Sequence, residues 1–153
     1  MKVHEIMTGE PRTCSLNTNL SEAAALMLDG DCGILPVVES GKLLGVATDR
    51  DMFIALATRN VRAADLTVGE VVQTPVYSCS PDDDVQVALE TMKRHRVRRL
   101  PVEGFGGTLT GIISMNDIVL TSGAKKPVRD AAVVSALQTI CAHHHPAPHI
   151  AAA

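Results

Sequence analysis

The chain carries one segment twice, and that duplication restricts the fold more than any other feature. Gly45-Val46-Ala47-Thr48-Asp49-Arg50-Asp51 returns as Gly111-Ile112-Ile113-Ser114-Met115-Asn116-Asp117. Each copy has a glycine, two apolar residues, a hydroxyl, two variable residues and an aspartate. Each follows a Leu-Pro-Val, Leu35-Pro36-Val37 in one half and Leu100-Pro101-Val102 in the other. A shift of 65 places Val3 on Val68, Glu5 on Glu70, Cys14 on Cys79, Ala23 on Ala88 and Met27 on Met92. One residue enters in the stretch Gly104–Gly107, and beyond it the shift is 66. Two copies of one supersecondary unit imply a pseudo-symmetric pair. Each copy also supplies a hydroxyl and a carboxylate at a fixed spacing after a glycine, groups suited to holding a phosphorylated sugar.

Each half reads as β-α-β-β-α. Pro11 to Cys14 and Val76 to Cys79 are short extended segments. Leu20, Ala23, Ala24, Met27 and Leu28 recur at the spacing of one helical face. Asn19 and Glu22 form a capping pair ahead of that stripe, and Gly30 is its stop. The second copy shows Val85, Ala88, Leu89 and Met92, with Asp82-Asp83-Asp84 as the cap. Ile34–Val38 and Leu43–Ala47 form a hairpin around Ser40-Gly41-Lys42, matched by a turn at Gly106-Gly107-Thr108. Helices are expected from Asp51 to Leu56 and from Asn116 to Leu120. Thr67-Val68-Gly69-Glu70 is a capping box that opens the second unit. The expected division is repeat 1 over 1–57, a linker over 58–66, repeat 2 over 67–123, and a C-terminal helix and tail over 124–153. In that last part Val133, Val134, Leu137 and Ile140 share one helical face.

Composition narrows the function. A net charge of −3 gives no general attraction to nucleic acid or acidic membranes. No apolar run approaches a membrane span. The sequence Met1-Lys2-Val3-His4-Glu5 lacks an apolar signal region, so a cytoplasmic location is expected. Four cysteines without a C-x-x-C pattern suggest reduced, packed thiols. Aromatic content is 2%, too little for a base-stacking platform. There is no P-loop, dinucleotide loop, nucleophile–base pair or complete metal signature, so an enzyme is not expected.

The paired units resemble the CBS domain, named for cystathionine β-synthase and found almost always in tandem. The resemblance rests on the Leu-Pro-Val strand, the Gly-h-h-Thr/Ser-x-x-Asp motif and their spacing, twice over, and covers about Val3 to Thr121. It implies an α/β (α+β) fold of two repeats packed through their sheets with pseudo-twofold symmetry. It implies a stand-alone two-CBS protein with two clefts for an adenine nucleotide or adenosyl ligand: AMP, ADP, ATP or S-adenosylmethionine. It also implies a regulatory role, a homodimer and an unknown regulated protein as partner. No cofactor is required.

By the resemblance each cleft is built across the pseudo-twofold. Asp117 and Ser114 would face Thr18, Ala23, Cys32 and Gly33. Asp51 and Thr48 would face Asp83, Ala88, Val97 and Arg98. The carboxylates would take the ribose hydroxyls through charge-assisted bonds. Gly45 and Gly111 would permit close approach by the facing repeat. Arg50 in one motif and Asn116 in the other make the clefts unequal. Small residues at Ala23 and Gly33 favour the Asp117 cleft on shape, and Arg98 favours the Asp51 cleft on charge. A plainer reading stands beside this one, since an aspartate near a helix start is often only a cap. The alternative function is a ligand-independent dimeric scaffold. The basic run Lys93 to Arg99 fits a solvated or nucleotide-facing patch at a helix end better than a nucleic-acid site. His143, His144, His145 and His149 fit a loose tail better than a metal site.

Overall fold

The computed structural model describes residues 1–121 and 128–142. Its elements run β1 (Thr8–Gly9), α1 (Leu20–Asp29), β2 (Ile34–Glu39), β3 (Lys42–Thr48), α2 (Asp49–Arg59), α3 (Val85–His95), β4 (Arg99–Glu103), β5 (Leu109–Ser114), α4 (Met115–Thr121) and α5 (Asp130–Cys141). Short 3-10 turns at Val3–Glu5 and Val68–Glu70 precede the two halves. The α+β class and the pairing of two like units are as expected. No described helix is long and apolar enough to cross a membrane.

Local signals build these elements. Asn19 Oδ1 accepts the Glu22 N–H at 2.9 Å and starts α1, and Gly30 closes it. Glu70 Oε2 accepts from both the N–H and the hydroxyl of Thr67 at 2.9 Å. Each hairpin turns through left-handed residues, Ser40 and Gly41 in one half and Gly106 and Gly107 in the other. A bulge at Val37/Val38 recurs at Val102/Glu103, so even the irregularities obey the repeat. The acidic run before α3 acts differently from the expectation. Asp84 occupies the cap position with no side-chain cap bond, and its carboxylate lies 3.5 Å from Lys2 Nζ instead. Asp83 Oδ2 accepts the Ser80 N–H at 2.8 Å and closes the preceding turn.

Of the extended segments expected before each helix, Pro11 to Cys14 and Val76 to Cys79, only the last residue pairs as a strand would. Cys14 bridges Val37 and Cys79 bridges Val102, both in parallel, within their own halves. The earlier residues cross over. β1 pairs antiparallel with β5, Thr8 against Ile112, while Gln73 bridges Val46. Val3 donates its N–H to the Asp83 carbonyl at 2.9 Å, and Val68 donates to Thr18 at 2.8 Å. Val85 donates to Met1, as Leu20 donates to Leu66. Each sequence repeat therefore lends its leading segment to the other half. Val3 is buried in the core formed by α3, β4, β5, α4 and α5, and Val68 in the core formed by α1, β2, β3 and α2.

Glycine makes the crossing possible. A methyl group on Gly111 would lie 2.6 Å from Met7 Sδ and 2.9 Å from the Thr8 carbonyl. On Gly45 it would overlap Val72 and sit 3.1 Å from the Gln73 carbonyl. The expected close approach by the facing repeat is thus present at both motif glycines.

The two cores differ at their outer faces. On α1, Leu20, Ala23 and Met27 are buried, but Leu28 of the expected stripe is 83% exposed and Ala24 also faces solvent. On α3, all four expected residues are buried. The reason is α5, which packs on α3 and has no counterpart beside α1 among the described residues. Val133 and Ala136 are buried there, with Leu137 and Ile140 packed against the same core, whereas Val134 points outward. Cys14 and Cys79 are buried at equivalent places. Burial pushes the first thiol up to about 11, and burial with the nearby carboxylates of Asp83 and Glu103 pushes the second up to about 12.

Gly111→Ala and Gly45→Ala should each destabilise the fold by about 1–3 kcal/mol through overpacking against the crossing segment. Gly9→Ala, whose methyl would meet nothing within 4 Å, should be close to neutral. Denaturant unfolding of the three variants checks this. Equal stability of Gly111→Ala and Gly9→Ala would show that the crossing segment yields easily.

Candidate functional site

The motif carboxylates sit in the third position of their helices, held by the hydroxyl three residues earlier. Thr48 Oγ1 accepts the Asp51 N–H at 3.2 Å and donates to Asp51 Oδ2 at 2.6 Å. Ser114 Oγ accepts the Asp117 N–H at 3.3 Å and donates to Asp117 Oδ2 at 2.6 Å. The Ser114 N–H adds a second bond to Asp117 Oδ2 at 2.7 Å. The capping geometry is therefore real in both copies. The hydroxyl of each motif donates to its own carboxylate. Among the described residues Oδ1 of neither carboxylate accepts a hydrogen bond. Each motif thus presents one tethered oxygen and one acceptor still open to a ligand.

Each carboxylate borders a cleft between the halves. The Asp117 cleft, a cavity of about 410 Å³, is lined by Ser114, Asn116 and Asp117 on one side and by Arg12, Asp31 and Cys32 on the other. The Asp51 cleft, about 640 Å³, is lined by Thr48, Arg50 and Asp51 and by Tyr77, Val97, Arg98 and Arg99. Both volumes lie in the ~300–1,000 Å³ range of small-molecule sites. The walls are supplied by the crossing. Thr8 to Arg12 reach the Asp117 cleft from the first half, and Gln73 to Tyr77 reach the Asp51 cleft from the second.

Of the expected partners, Cys32 lines the Asp117 cleft, and Val97 and Arg98 line the Asp51 cleft. Gly33 lies on the Asp51 side, its carbonyl accepting the Asp49 N–H at 3.2 Å, so it adds no room beside Asp117. Ala23 and Ala88 are fully buried in the cores and line neither cleft. Thr18 and Asp83 also line neither, because their carbonyls receive the crossing segments at Val68 and Val3. The shape argument for the Asp117 cleft, built on Ala23 and Gly33, has no support in this geometry.

Several lining residues were not singled out by the sequence as partners of the motif carboxylates, although Arg99 belongs to the basic run read there as solvated or nucleotide-facing. Ile34 and Arg99, equivalent under the shift of 65, each border both clefts. They precede the Leu-Pro-Val strands, and their register beside Thr48 and Ser114 was the available signal. Arg12 and Tyr77 form another equivalent pair. Tyr77 stacks on His95 with ring centroids 3.6 Å apart, while Arg12 passes over Gly30 at the matching place. The basic run is divided likewise: Arg96, Arg98 and Arg99 line the Asp51 cleft, but Lys93 reaches α5, its Nζ 3.0 Å from Ser135 Oγ. Arg98 Nη2 also approaches Cys141 Sγ at 3.6 Å. The histidines at 143, 144, 145 and 149 lie outside the described residues.

Comparison with known proteins agrees with the duplicated architecture. The family model for the CBS domain matches residues 3–58 and again 68–122. A CBS domain-containing protein of Bacillus subtilis, YhcV, is 36% identical over 118 residues, 77% of this chain and 83% of its own length. Among solved structures, the CBS domain pair of protein MJ0100 in complex with 5′-methylthioadenosine and S-adenosyl-L-methionine has a TM-score of 0.74 at 28% identity, covering 82% of this chain and 98% of that one. Hypoxic response protein I with two coordinated zinc ions has a TM-score of 0.72 at 29% identity, covering 78% and 98%.

If the hydroxyls act as helix caps, Thr48→Ala and Ser114→Ala should each cost about 1 kcal/mol of stability. Thermal unfolding measures it. An unchanged midpoint in both variants would mean that the caps contribute nothing to the folded state.

Proposed function

The chain belongs to the CBS-domain family, and on that premise we propose that it is a regulatory module that binds an adenine nucleotide or related adenosyl ligand. The candidates are AMP, ADP, ATP and S-adenosylmethionine. The observation that carries this reading is the pair of tethered carboxylates, Asp51 and Asp117, each with an open oxygen at the edge of a cleft of ligand size. The solved relative holding adenosyl ligands supports it. A ribose offers two vicinal hydroxyl donors, and a carboxylate fixed in the first turn of a helix is their natural acceptor.

In this reading the ligand bridges the halves, because each cleft has walls from both. Binding favours whichever relative placement of the halves lets the two walls close on the ligand. The output passes to a second protein in the cytoplasm, and no chemistry is performed on the nucleotide. A thermal-shift panel of AMP, ADP, ATP, NADH and S-adenosylmethionine separates this from a ligand-independent scaffold, since a ligand bound only by the folded state raises the midpoint.

Asp51→Ala and Asp117→Ala should each weaken one class of site by about tenfold or more, the loss of roughly 1.5–3 kcal/mol for hydrogen bonds to a charged group. The loss should be larger for ribonucleotides than for their 2′-deoxy analogues, which already lack one hydroxyl. Calorimetry on the single and double variants, with melting measured on the same samples, decides the matter. A double variant that binds as tightly as the parent protein would reduce the carboxylates to caps.

The homodimer is assigned here to α1 and α2, because the apolar face of α5 is already used within the chain. Val133, Leu137 and Ile140 are spent on the chain's own second core. Leu28 and Phe53, 83% and 71% exposed, instead border an apolar groove with Met27, Met52 and Leu56 on the side of α1 and α2 that no described helix covers. Light scattering should give a dimer mass at micromolar protein, and Phe53→Asp should shift it to monomer. A monomer mass for the parent protein, with and without nucleotide, contradicts the dimer.

A further inference from the structure

The two clefts share a backbone plan but differ in charge. The Asp51 cleft brings Arg50, Arg96, Arg98 and Arg99 against two carboxylates, Asp49 and Asp51. The Asp117 cleft brings Arg12 and Arg99 against four carboxylates, Glu10, Asp29, Asp31 and Asp117. The difference is built at equivalent positions. Arg50 in one motif matches Asn116 in the other. Arg98 matches Gly33, which has no side chain. Arg96 matches Asp31, and both hold the same left-handed backbone, φ 55° and 45°. One conformation thus presents a cation to the first cleft and an anion to the second. Among the described residues neither Arg50 nor Arg99 is engaged in an ion pair, so no described carboxylate neutralises either of them.

We propose that the Asp51 cleft is the polyphosphate site of this chain, taking adenosine di- or triphosphate, while the Asp117 cleft turns polyphosphate away and takes an adenosyl ligand with a neutral or cationic 5′ substituent. This rests on the nucleotide-binding reading above and assigns a ligand class to each of its sites. The ribose is held alike in both clefts by the motif carboxylate. What differs is the region beyond C5′. Guanidinium groups form paired, charge-assisted bonds to phosphate oxygens. A cleft with more carboxylates than cations repels the same group and attracts a sulfonium or leaves a thioether undisturbed. Arg99 borders both clefts and does not discriminate. Discrimination comes from Arg50 and Arg98 on one side and from Asp31 on the other.

The test is magnesium-free calorimetry with ATP, adenosine, 5′-methylthioadenosine and S-adenosylmethionine. The proteins are the parent chain, Arg50→Ala, Arg98→Ala, Asp31→Arg, Asp51→Asn and Asp117→Asn, each first shown to be folded by circular dichroism. ATP should fill one tight site per chain, and that site should be lost in Asp51→Asn. Arg50→Ala and Arg98→Ala should each weaken ATP by about tenfold, with adenosine altered by less than about threefold. Added salt should weaken ATP far more than adenosine, since these arginines are exposed. Asp31→Arg should create a second ATP site. S-adenosylmethionine and 5′-methylthioadenosine should lose their tight site in Asp117→Asn. Equal losses for ATP and adenosine in the arginine variants, or a tight ATP site abolished by Asp117→Asn, would overturn the division while leaving nucleotide binding intact. No binding of any of the four ligands to the parent chain would overturn the nucleotide-binding reading itself.

Discussion

The structure depends on a mutual loan of backbone. Residues 1–9 and 66–74 each leave their own repeat and complete the other, with matched hydrogen bonds from Val3 to Asp83 and from Val68 to Thr18. Buried apolar groups lead both segments, so each core contains a residue that its own repeat does not supply. Neither half can bury its full set of apolar side chains alone. The motif glycines are the passive part of the arrangement, because a methyl group at either would meet the borrowed segment. Hydrophobic burial provides the drive and the missing Cβ provides the room.

That exchange also makes the clefts. The chain that crosses over turns back past the strand ends, and its return places Arg12 beside one motif and Tyr77 beside the other. A cleft so constructed has one wall from each half, which suits a ligand whose binding is to be felt by both. The carboxylates have a double duty. Their tethered oxygen stabilises the first turn of a helix, and their other oxygen stays available. Capping and binding are therefore not competing readings of these aspartates, since the cap is what fixes the carboxylate in place.

Much of the fold was legible in the sequence. The duplicated motif, the capping pairs at Asn19/Glu22 and Thr67/Glu70 and the hairpin turns are local signals, and local signals survive into structure. The crossing was not legible, because a repeat in sequence records how the residues are ordered and says nothing of which copy they pack against. The exposure of Leu28 was missed for a related reason. Periodicity gives a helix its apolar stripe, but the width that is buried depends on whether a further helix lies over it, as α5 does for α3 and no described helix does for α1. In the site, Thr48, Ser114 and the two aspartates were found by motif. Ile34, Arg12 and Tyr77 were not, and Arg99 was met only within the basic run, because Ile34 and Arg99 reach the motifs through cross-strand register and Arg12 and Tyr77 through the exchanged segments.

The exchanged segments bear on where such a chain comes from. A polypeptide holding one repeat would carry a leading arm with no partner and a groove over its motif glycine with nothing to fill it. Two such molecules would satisfy one another by trading arms, in the manner of a swapped dimer, with each contact made twice by symmetry. The present chain has the contacts that such a dimer would have, written on one thread. Joining the two copies removes the entropic cost of bringing them together and frees each to change separately. The opposed charges at Asp31 and Arg96 are a divergence that an assembly of two identical molecules could never display.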